Sequence, residues 1–186
     1  MNVRKFVVIT SVLTFFACLL TVVVFTAPIH TAIFHIVLPD GSVSTVERQT
    51  LDQNVVRYFL NGNQAQLSSL SFVEQQHLQD VRVRFVAIAL ASLAGIGFLL
   101  WAKPTVREWR QASAVAVTII LVTSILFEPL FLFLHELLFP DGNWYLPPDQ
   151  YVLTQVYPLG FFVACWLIVS LGSWGLLFAL GRQKTA

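Results

Sequence analysis

Four long runs of apolar residues restrict this chain to very few folds. Each run is about as long as a helix must be to cross a bilayer, which takes about 20 residues. The chain is 56% hydrophobic and only 11% charged, whereas soluble domains carry about 25% charged residues. We therefore predict one all-α integral membrane domain over residues 1–186, with four spans at about 6–27, 85–102, 112–134 and 159–180.

The basic residues predict the orientation of the spans. Seven of the eleven lysines and arginines would share one side of the membrane: Arg4, Lys5, Lys103, Arg107, Arg110, Arg182 and Lys184. Cytoplasmic loops carry an excess of basic residues, so we place both termini on the cytoplasmic side. Arg82 and Arg84 are predicted on the opposite side, which departs from this rule, so they need a local partner such as Asp80. The segments 28–71 and 135–158 then face outward.

The first outward segment begins with a turn signal. Pro39, Asp40 and Gly41 lie between short apolar stretches at 33–38 and 43–46. A turn of this composition between two apolar stretches favours a short β-hairpin. The segment is thus predicted to form a small extracellular subdomain.

A helix is predicted to follow the hairpin. Thr50 and Gln53 have the spacing of a capping box, and an apolar helical stripe continues as far as Gly62. The pattern is that of an amphipathic helix lying on the membrane surface or on the outer ends of the spans. Arg57 and Tyr58 on this helix are candidate substrate-binding residues, although an exposed arginine is more often simply solvated.

One further helix is predicted to begin in water and to continue into the second span. Ser71 and Glu74 have capping-box spacing, and no proline interrupts the chain before Pro104. The sequence from 85 to 102 is almost wholly apolar. We therefore expect a continuous helix over residues 72–102.

Polar residues at the start of that helix share one face. His77, Asp80 and Arg84 fall at i, i+3 and i+7, and Glu74 adds a carboxylate one turn earlier. His135 leaves the third span at the same predicted depth. A single interfacial histidine commonly binds only headgroups or loop carbonyls, but two histidines at matched depth beside carboxylates favour an acid–base site.

Glu128 lies inside the third span, directly before Pro129. An ionisable residue within a span is costly and suggests a function. The alternative is that a protonated Glu128 binds a carbonyl freed by a proline kink. The sequence leaves both interpretations open.

A metal site is the sharper alternative for the polar face. Glu74, His77 and Asp80 lie at metal-ligand spacing, and His135 could complete the set. The chain lacks an H-E-x-x-H motif, and both cysteines lie inside apolar runs, where they act as small hydrophobic residues. The net charge of +1 offers no basic field for nucleic acid.

Two outer stretches resemble a known bacterial family. They are residues 70–84 (L-S-F-V-E-Q-Q-H-L-Q-D-V-R-V-R) and 133–162 (F-L-H-E-L-L-F-P-D-G-N-W-Y-L-P-P-D-Q-Y-V-L-T-Q-V-Y-P-L-G-F-F). The motifs that carry the match are E-x-x-H-x-x-D-V, then H-E-x-x-F with a following Trp, Pro and Asp, and P-x-x-F-F. With four spans in the same order, most of the chain is similar to the four-span family that includes the lipoprotein intramolecular transacylases.

This resemblance implies an acyltransferase in the bacterial plasma membrane, with its active site on the extracellular face. Such enzymes move an acyl chain from the glyceryl sn-2 ester of a lipoprotein's lipidated N-terminal cysteine to the α-amine of that cysteine. The implied substrates are diacylated lipoproteins within membrane lipid, and the resemblance implies no cofactor, no metal and no nucleic acid.

The family's two functional histidines would correspond to His77 and His135. Acyl transfer within one substrate needs proton transfer and oxyanion stabilisation, while proximity comes from the substrate itself. We assign His77 as the base, oriented by Asp80, and His135 as the acid or oxyanion donor, and these two roles could be exchanged. Other residues expected at the site are Glu74 and Glu128 in support, and Arg57, Tyr58 and Trp144 in substrate binding.

Two other functions remain open on the sequence. A membrane scaffold or sensor with outward-facing binding loops would tolerate changes at both histidines but not in the helix at 50–62. A metal-dependent membrane hydrolase would contain stoichiometric zinc.

Overall fold

A computed structural model describes residues 3–37 and 43–183, and these residues are helical with no strand. This agrees with the predicted all-α membrane protein. The described elements are α1 (Val3–Val24), α2 (Ala27–Val37), α3 (Thr45–Asn61), a short 3-10 helix (Gln64–Leu67), α4 (Phe72–Ala102), α5 (Val106–Ile125), α6 (Phe127–Leu138), α7 (Val152–Val156) and α8 (Leu159–Gly181).

Three of these helices are long and apolar enough to cross a membrane. They are α1, α4 and α8, with 22, 31 and 23 residues, and α5 with α6 gives a fourth if the two form one broken span. The third apolar run therefore does not form one straight helix. Pro129 explains the break, because a proline ring clashes with the carbonyl four residues earlier, which belongs to Ile125, the last residue of α5.

The β-hairpin prediction is wrong for the described residues. Residues 33–37 of the stretch predicted to form its first strand lie in α2, with Ile33 and Phe34 buried. Pro28 stands in the first turn of α2, where its missing N–H costs no helical hydrogen bond. The Pro-Asp-Gly turn at 39–41 lies outside the described residues.

The helix predicted from Thr50 begins earlier than expected. Ser44 caps α3, accepting from the backbone N–H of Glu47, while the Glu47 side chain accepts from Ser44. Thr50 lies inside α3, where its hydroxyl donates to a backbone carbonyl of the same helix. The predicted end is confirmed, because Gly62 closes α3 in the left-handed region at φ 73°.

One compact unit comprises residues 22–85 and 127–165. The buried face of α3 packs into the core of this unit through Leu51, Val55 and Phe59. A buried polar cluster lies beside this core and joins three elements: His30 on α2, Asp52 on α3 and Tyr157 after α7.

Short hydrogen bonds join the three side chains of the polar cluster. The two ring nitrogens of His30 lie 2.7 Å from Asp52 Oδ1 and 2.8 Å from the carbonyl of Val23. The phenol of Tyr157 donates to the same carboxylate oxygen at 2.8 Å. Burial and the charge of Asp52 raise the pKa of Tyr157 well above its usual value, so the phenol remains a donor.

Two arginines on α4 close the ends of neighbouring helices in this unit. Arg82 Nε donates to the carbonyls of Tyr58 and Phe59 at the end of α3, at 3.2 and 3.1 Å. Arg84 donates to the carbonyl of Leu138, the last residue of α6. Cations are favourable at helix C-termini. Both arginines thus have the local partners that their departure from the positive-inside rule requires.

The other compact unit comprises residues 1–21, 86–126 and 166–186. Small side chains let its helical segments approach closely, as in many membrane helix bundles. A Cβ added at Gly95 would lie 2.2 Å from Oγ1 of Thr14, and one added at Gly172 would lie 2.8 Å from Cδ1 of Leu19. The core of this unit contains Val8, Val12, Ala112, Ala116 and Leu177.

Gly95 and Gly97 provide a matched test of this packing. Both lie in α4, but a Cβ at Gly97 would meet nothing within 4 Å. We expect Gly95→Ala to destabilise the protein by about 1–3 kcal/mol, because the methyl group must displace Thr14. Gly97→Ala should be neutral or slightly stabilising. Thermal unfolding in detergent compares the two variants, and equal shifts would contradict the close approach of α1 and α4.

Candidate active site

The first turn of α4 is fixed by the predicted capping box. The backbone N–H and hydroxyl of Ser71 donate to Oε2 of Glu74 at 2.8 and 2.7 Å, and the Ser71 hydroxyl accepts from the N–H of Glu74 at 3.4 Å. The helix continues without a break from Phe72 to Ala102. The predicted start and the continuity of this helix are therefore confirmed.

Glu74 also binds a distant part of the chain. Its second oxygen, Oε1, accepts from the backbone N–H of Leu153 in α7 at 2.8 Å. The residue is only 2% exposed. Because both carboxylate oxygens accept backbone or cap hydrogen bonds, Glu74 holds α7 against the start of α4.

The structure brings the two predicted histidines together. The rings of His77 on α4 and His135 on α6 have centroids 6.3 Å apart and an interplanar angle of 32°. The ring of Phe139 lies 4.8 Å from His77 and 5.4 Å from His135. The pair therefore lies in an aromatic environment, with His77 buried and His135 half-buried.

His135 has a defined hydrogen bond and aromatic neighbours. Its Nδ1 lies 2.7 Å from the carbonyl of Phe131, one turn earlier in α6, so Nδ1 carries the proton and donates. Its Nε2 is then the acceptor in the neutral ring. The rings of Phe131 and Trp144 lie 4.1 and 5.5 Å from the imidazole.

Asp80 and Arg84 lie on the same face of α4 as His77. Oδ2 of Asp80 accepts from the side-chain amide of Asn143 at 2.8 Å, and Oδ1 lies 4.0 Å from Arg84 Nη1. Arg84 also lies over the Phe139 ring at 4.3 Å. The predicted shared face is thus present, but the hydrogen bond of Asp80 goes to Asn143, which the sequence did not single out.

Burial makes both histidines weak bases. His77 and His135 lie outside the predicted apolar spans, at 85–102 and 112–134. Burial, and then the charge of His135, lower the pKa of His77 to about 4, and Arg84 acts in the same direction. Asn143 and Asp80 act in the opposite direction. Burial also lowers the pKa of His135, against the hydrogen bond to its backbone neighbour. Both rings are therefore neutral at neutral pH.

The remaining predicted residues lie in different surroundings. Trp144 is beside His135, as described above. Tyr58 is 2% exposed within the core and Arg57 is exposed on α3, so the side chain of Tyr58 is not available to a substrate here. Glu128 is exposed in the first turn of α6, about 10 Å along the helix axis from His135. In the part of the chain described, no three residues among His, Cys, Asp and Glu form a metal-binding group.

The chain is similar to a known protein family and to solved structures. The family model "Lipoprotein intramolecular transacylase Lit" matches residues 5–162. The solved structure of the membrane-integral transacylase Lit from Bacillus cereus matches with a TM-score of 0.75 at 19% identity, covering 97% of this chain and 95% of that one. A structure of the same protein with one histidine changed to alanine gives a TM-score of 0.72 at 21% identity, covering 96% and 90%. Comparison with curated protein sequences found no match.

The fold and the matched family define an all-helical, multi-pass membrane enzyme in which two histidine rings lie close together. The family match covers most of the chain. The protein belongs to the lipoprotein intramolecular transacylase (Lit) family.

The electrostatic effect of His135 on the pKa of His77 can be tested by titration. In a histidine-labelled protein in detergent micelles, we expect NMR titration to give a pKa for His77 well below 6.5, at about 4. His135→Gln should raise that pKa, because it removes the positive charge that opposes protonation of His77. Burial remains, so the pKa should stay below 6.5.

Arg57→Gln is the matched control, because it removes an exposed charge from α3. This variant should leave the His77 titration unchanged. A His77 pKa that does not move in His135→Gln would show that the rings are not electrostatically coupled.

Proposed function

We propose that this enzyme moves an acyl chain from the glyceryl sn-2 ester of a diacylated lipoprotein to the α-amine of the same lipidated N-terminal cysteine. The observation that carries the proposal is the facing pair of neutral imidazoles, His77 and His135, with ring centroids 6.3 Å apart. The printed name of the matched family supports a lipoprotein substrate and an intramolecular transfer.

The transfer makes one bond and breaks one bond. The amine nitrogen attacks the sn-2 ester carbonyl, and the resulting tetrahedral intermediate collapses by breaking the bond between the carbonyl carbon and the sn-2 oxygen. One proton must leave the nitrogen, and one must reach the departing oxygen. The products are an N-acyl amide and a free sn-2 hydroxyl, so no water is consumed.

A histidine pair is suited to this proton balance. A neutral imidazole accepts the proton from the nitrogen, and the resulting imidazolium returns a proton to the sn-2 oxygen. Because a proton on His135 opposes protonation of His77, the pair disfavours holding two protons at once. Amine and ester belong to one substrate, so the chain need not form an acyl-enzyme intermediate.

The surroundings of the pair suit a lipid substrate. The rings of Phe131, Phe139 and Trp144 line it, and apolar walls accommodate acyl chains. We place this site on the extracellular face of the plasma membrane, with both termini cytoplasmic, because most basic residues fall on the opposite side of the spans. That face is also where the lipidated end of an exported lipoprotein lies.

The alternative functions receive no comparable support. Glu74, one of the three residues considered as metal ligands, has both oxygens engaged by Ser71 and Leu153. The Lit family is a family of enzymes, which does not favour a scaffold or sensor.

Loss of either histidine should abolish the proton transfers. His77→Ala and His135→Ala should each reduce turnover by roughly 10²–10⁴-fold, the usual effect of removing a positioned acid–base group. Mass spectrometry of the lipoprotein N-terminus measures the transfer, because the acyl chain moves from an ester to an amide. A reconstituted diacylated lipopeptide provides the substrate.

His35→Ala is the matched control, since His35 is exposed on α2. It should retain full activity. The histidine variants should still insert and accumulate. Normal amide formation by a protein carrying both His77→Ala and His135→Ala would overturn the proposed function.

The proposed orientation has a separate test. After replacement of Cys18 and Cys165 by alanine, Asp149→Cys should react with a membrane-impermeant thiol reagent applied to intact cells. Gln183→Cys should react only after permeabilisation. Both positions are exposed in the folded chain, so a difference between them reports the side of the membrane. The reverse pattern would invert the topology.

A further inference from the structure

A short polar chain of atoms leads from Asp80 toward His77. The amide nitrogen of Asn143 donates to Asp80 Oδ2 at 2.8 Å. The other end of that amide, Oδ1, is buried without a hydrogen-bond partner among the described residues, and so is Nδ1 of His77. Asp80 follows His77 by one turn on the same face of α4, so its hydrogen bond holds the Asn143 side chain on the His77 side of the helix. In agreement with this placement, Asn143 raises the pKa of His77, against the effect of burial.

The charge of Asp80 determines which end of the Asn143 amide faces it. An ionised carboxylate only accepts hydrogen bonds, so Asn143 must present its NH₂ group to Asp80. The amide oxygen is then the end that remains for His77. A carbonyl-type oxygen also only accepts, so a nitrogen of His77 that pairs with it must carry a proton.

We propose that Asn143 is a positioning residue, which transmits the acceptor character of Asp80 to His77 and holds the neutral ring with its proton on Nδ1 and its lone pair on Nε2. The catalytic meaning of this assignment rests on the proposed function. The tautomer itself is a property of the folded protein and does not depend on which reaction the protein catalyses.

The same tautomer is fixed in the second histidine by a different partner. Nδ1 of His135 donates to the carbonyl of Phe131 at 2.7 Å, which leaves Nε2 as the acceptor. Both rings of the pair therefore use Nδ1 for a hydrogen bond to the protein and keep Nε2 for proton exchange. A backbone carbonyl in α6 fixes the tautomer of His135, and the Asn143 side chain bound to Asp80 of α4 fixes that of His77. Both rings then present Nε2 as the proton acceptor.

The tautomer of His77 matters because the two ring nitrogens of a histidine are not equivalent. A ring in the other tautomer would present an N–H where the reaction needs a lone pair, and the proton of the amine would have no acceptor. The charged and titratable groups beside His77 are Asp80, Arg84 and His135. Among these, only Asp80 is hydrogen-bonded to Asn143.

The tautomer of His77 is directly measurable. In the full-length protein with ¹⁵N-labelled histidine, the chemical shifts of the two ring nitrogens distinguish a protonated Nδ1 from a protonated Nε2, and His77→Gln assigns the signal. In the unaltered protein near pH 7 we expect His77 to be neutral with the proton on Nδ1. Asn143→Leu removes the acceptor at similar volume and should convert His77 to a mixture of tautomers.

Two conservative variants keep the test informative if Asn143→Leu does not fold. Asp80→Asn lets the Asn143 amide turn over, and should also give a mixture of tautomers. Asn143→Asp keeps an oxygen beside His77 and should retain the proton on Nδ1 while making the ring easier to protonate. Asn54→Ala on α3 is the control and should leave the spectrum unchanged.

Turnover provides a second readout. Asn143→Leu and Asp80→Asn should reduce kcat by roughly tenfold to a hundredfold, as loss of an outer partner does for metal-bound histidines, with little change in KM. An unchanged His77 tautomer in folded Asn143→Leu would overturn the positioning role, even with reduced turnover. If the unaltered protein transfers no acyl chain, the proposed function fails, while the tautomer measurement still decides the role of Asn143.

Discussion

The candidate site depends most on the hydrogen bonds that the buried carboxylate of Glu74 accepts. One of its oxygens completes the cap of α4 with Ser71, and the other accepts the backbone N–H of Leu153 in α7. A buried carboxylate is tolerated only with such partners, because leaving it unpaired would cost several kcal/mol. The start of α4 and the segment around α7 must therefore meet. Since His77 follows one turn later, this contact also fixes the position of its ring.

The successive turns of α4 then make different contacts along one face. His77 meets the aromatic end of α6, Asp80 binds Asn143 in the loop that follows, and Arg84 closes the C-terminus of α6 at Leu138. Residues three and four apart lie on the same side of a helix, so one regular element can hold a whole irregular loop. Two arginines of α4, Arg82 and Arg84, thus have partners in the folded chain. Their charges are used at helix ends, where the carbonyl groups favour cations.

Local signals account for what the sequence predicted correctly. The cap at Ser71 and the face shared by His77 and Asp80 depend only on helical spacing, which neighbouring structure does not change. The hairpin prediction failed because apolar residues beside a Pro-Asp-Gly turn suit a helix end as well as a strand. The start of α3 was missed although Ser44 and Glu47 show the same spacing as Ser71 and Glu74. Asn143 could not be found in this way, because its role depends on a contact across 63 positions of sequence.

The low basicity of the histidine pair fits the charge changes of the proposed transfer. The substrate amine, with a pKa of about 8 in its ordinary state, is largely a cation near neutral pH. A protonated imidazole would repel that cation, whereas two neutral rings do not. The cation must first lose a proton to solvent, and the free amine then attacks the ester. Its N–H then becomes far more acidic, and even a weak base such as His77 can accept this second proton. The conjugate acid of a weak base is strong, so the same ring readily protonates the departing sn-2 oxygen. Burial of the pair therefore assists both the approach of the amine and the departure of the alcohol.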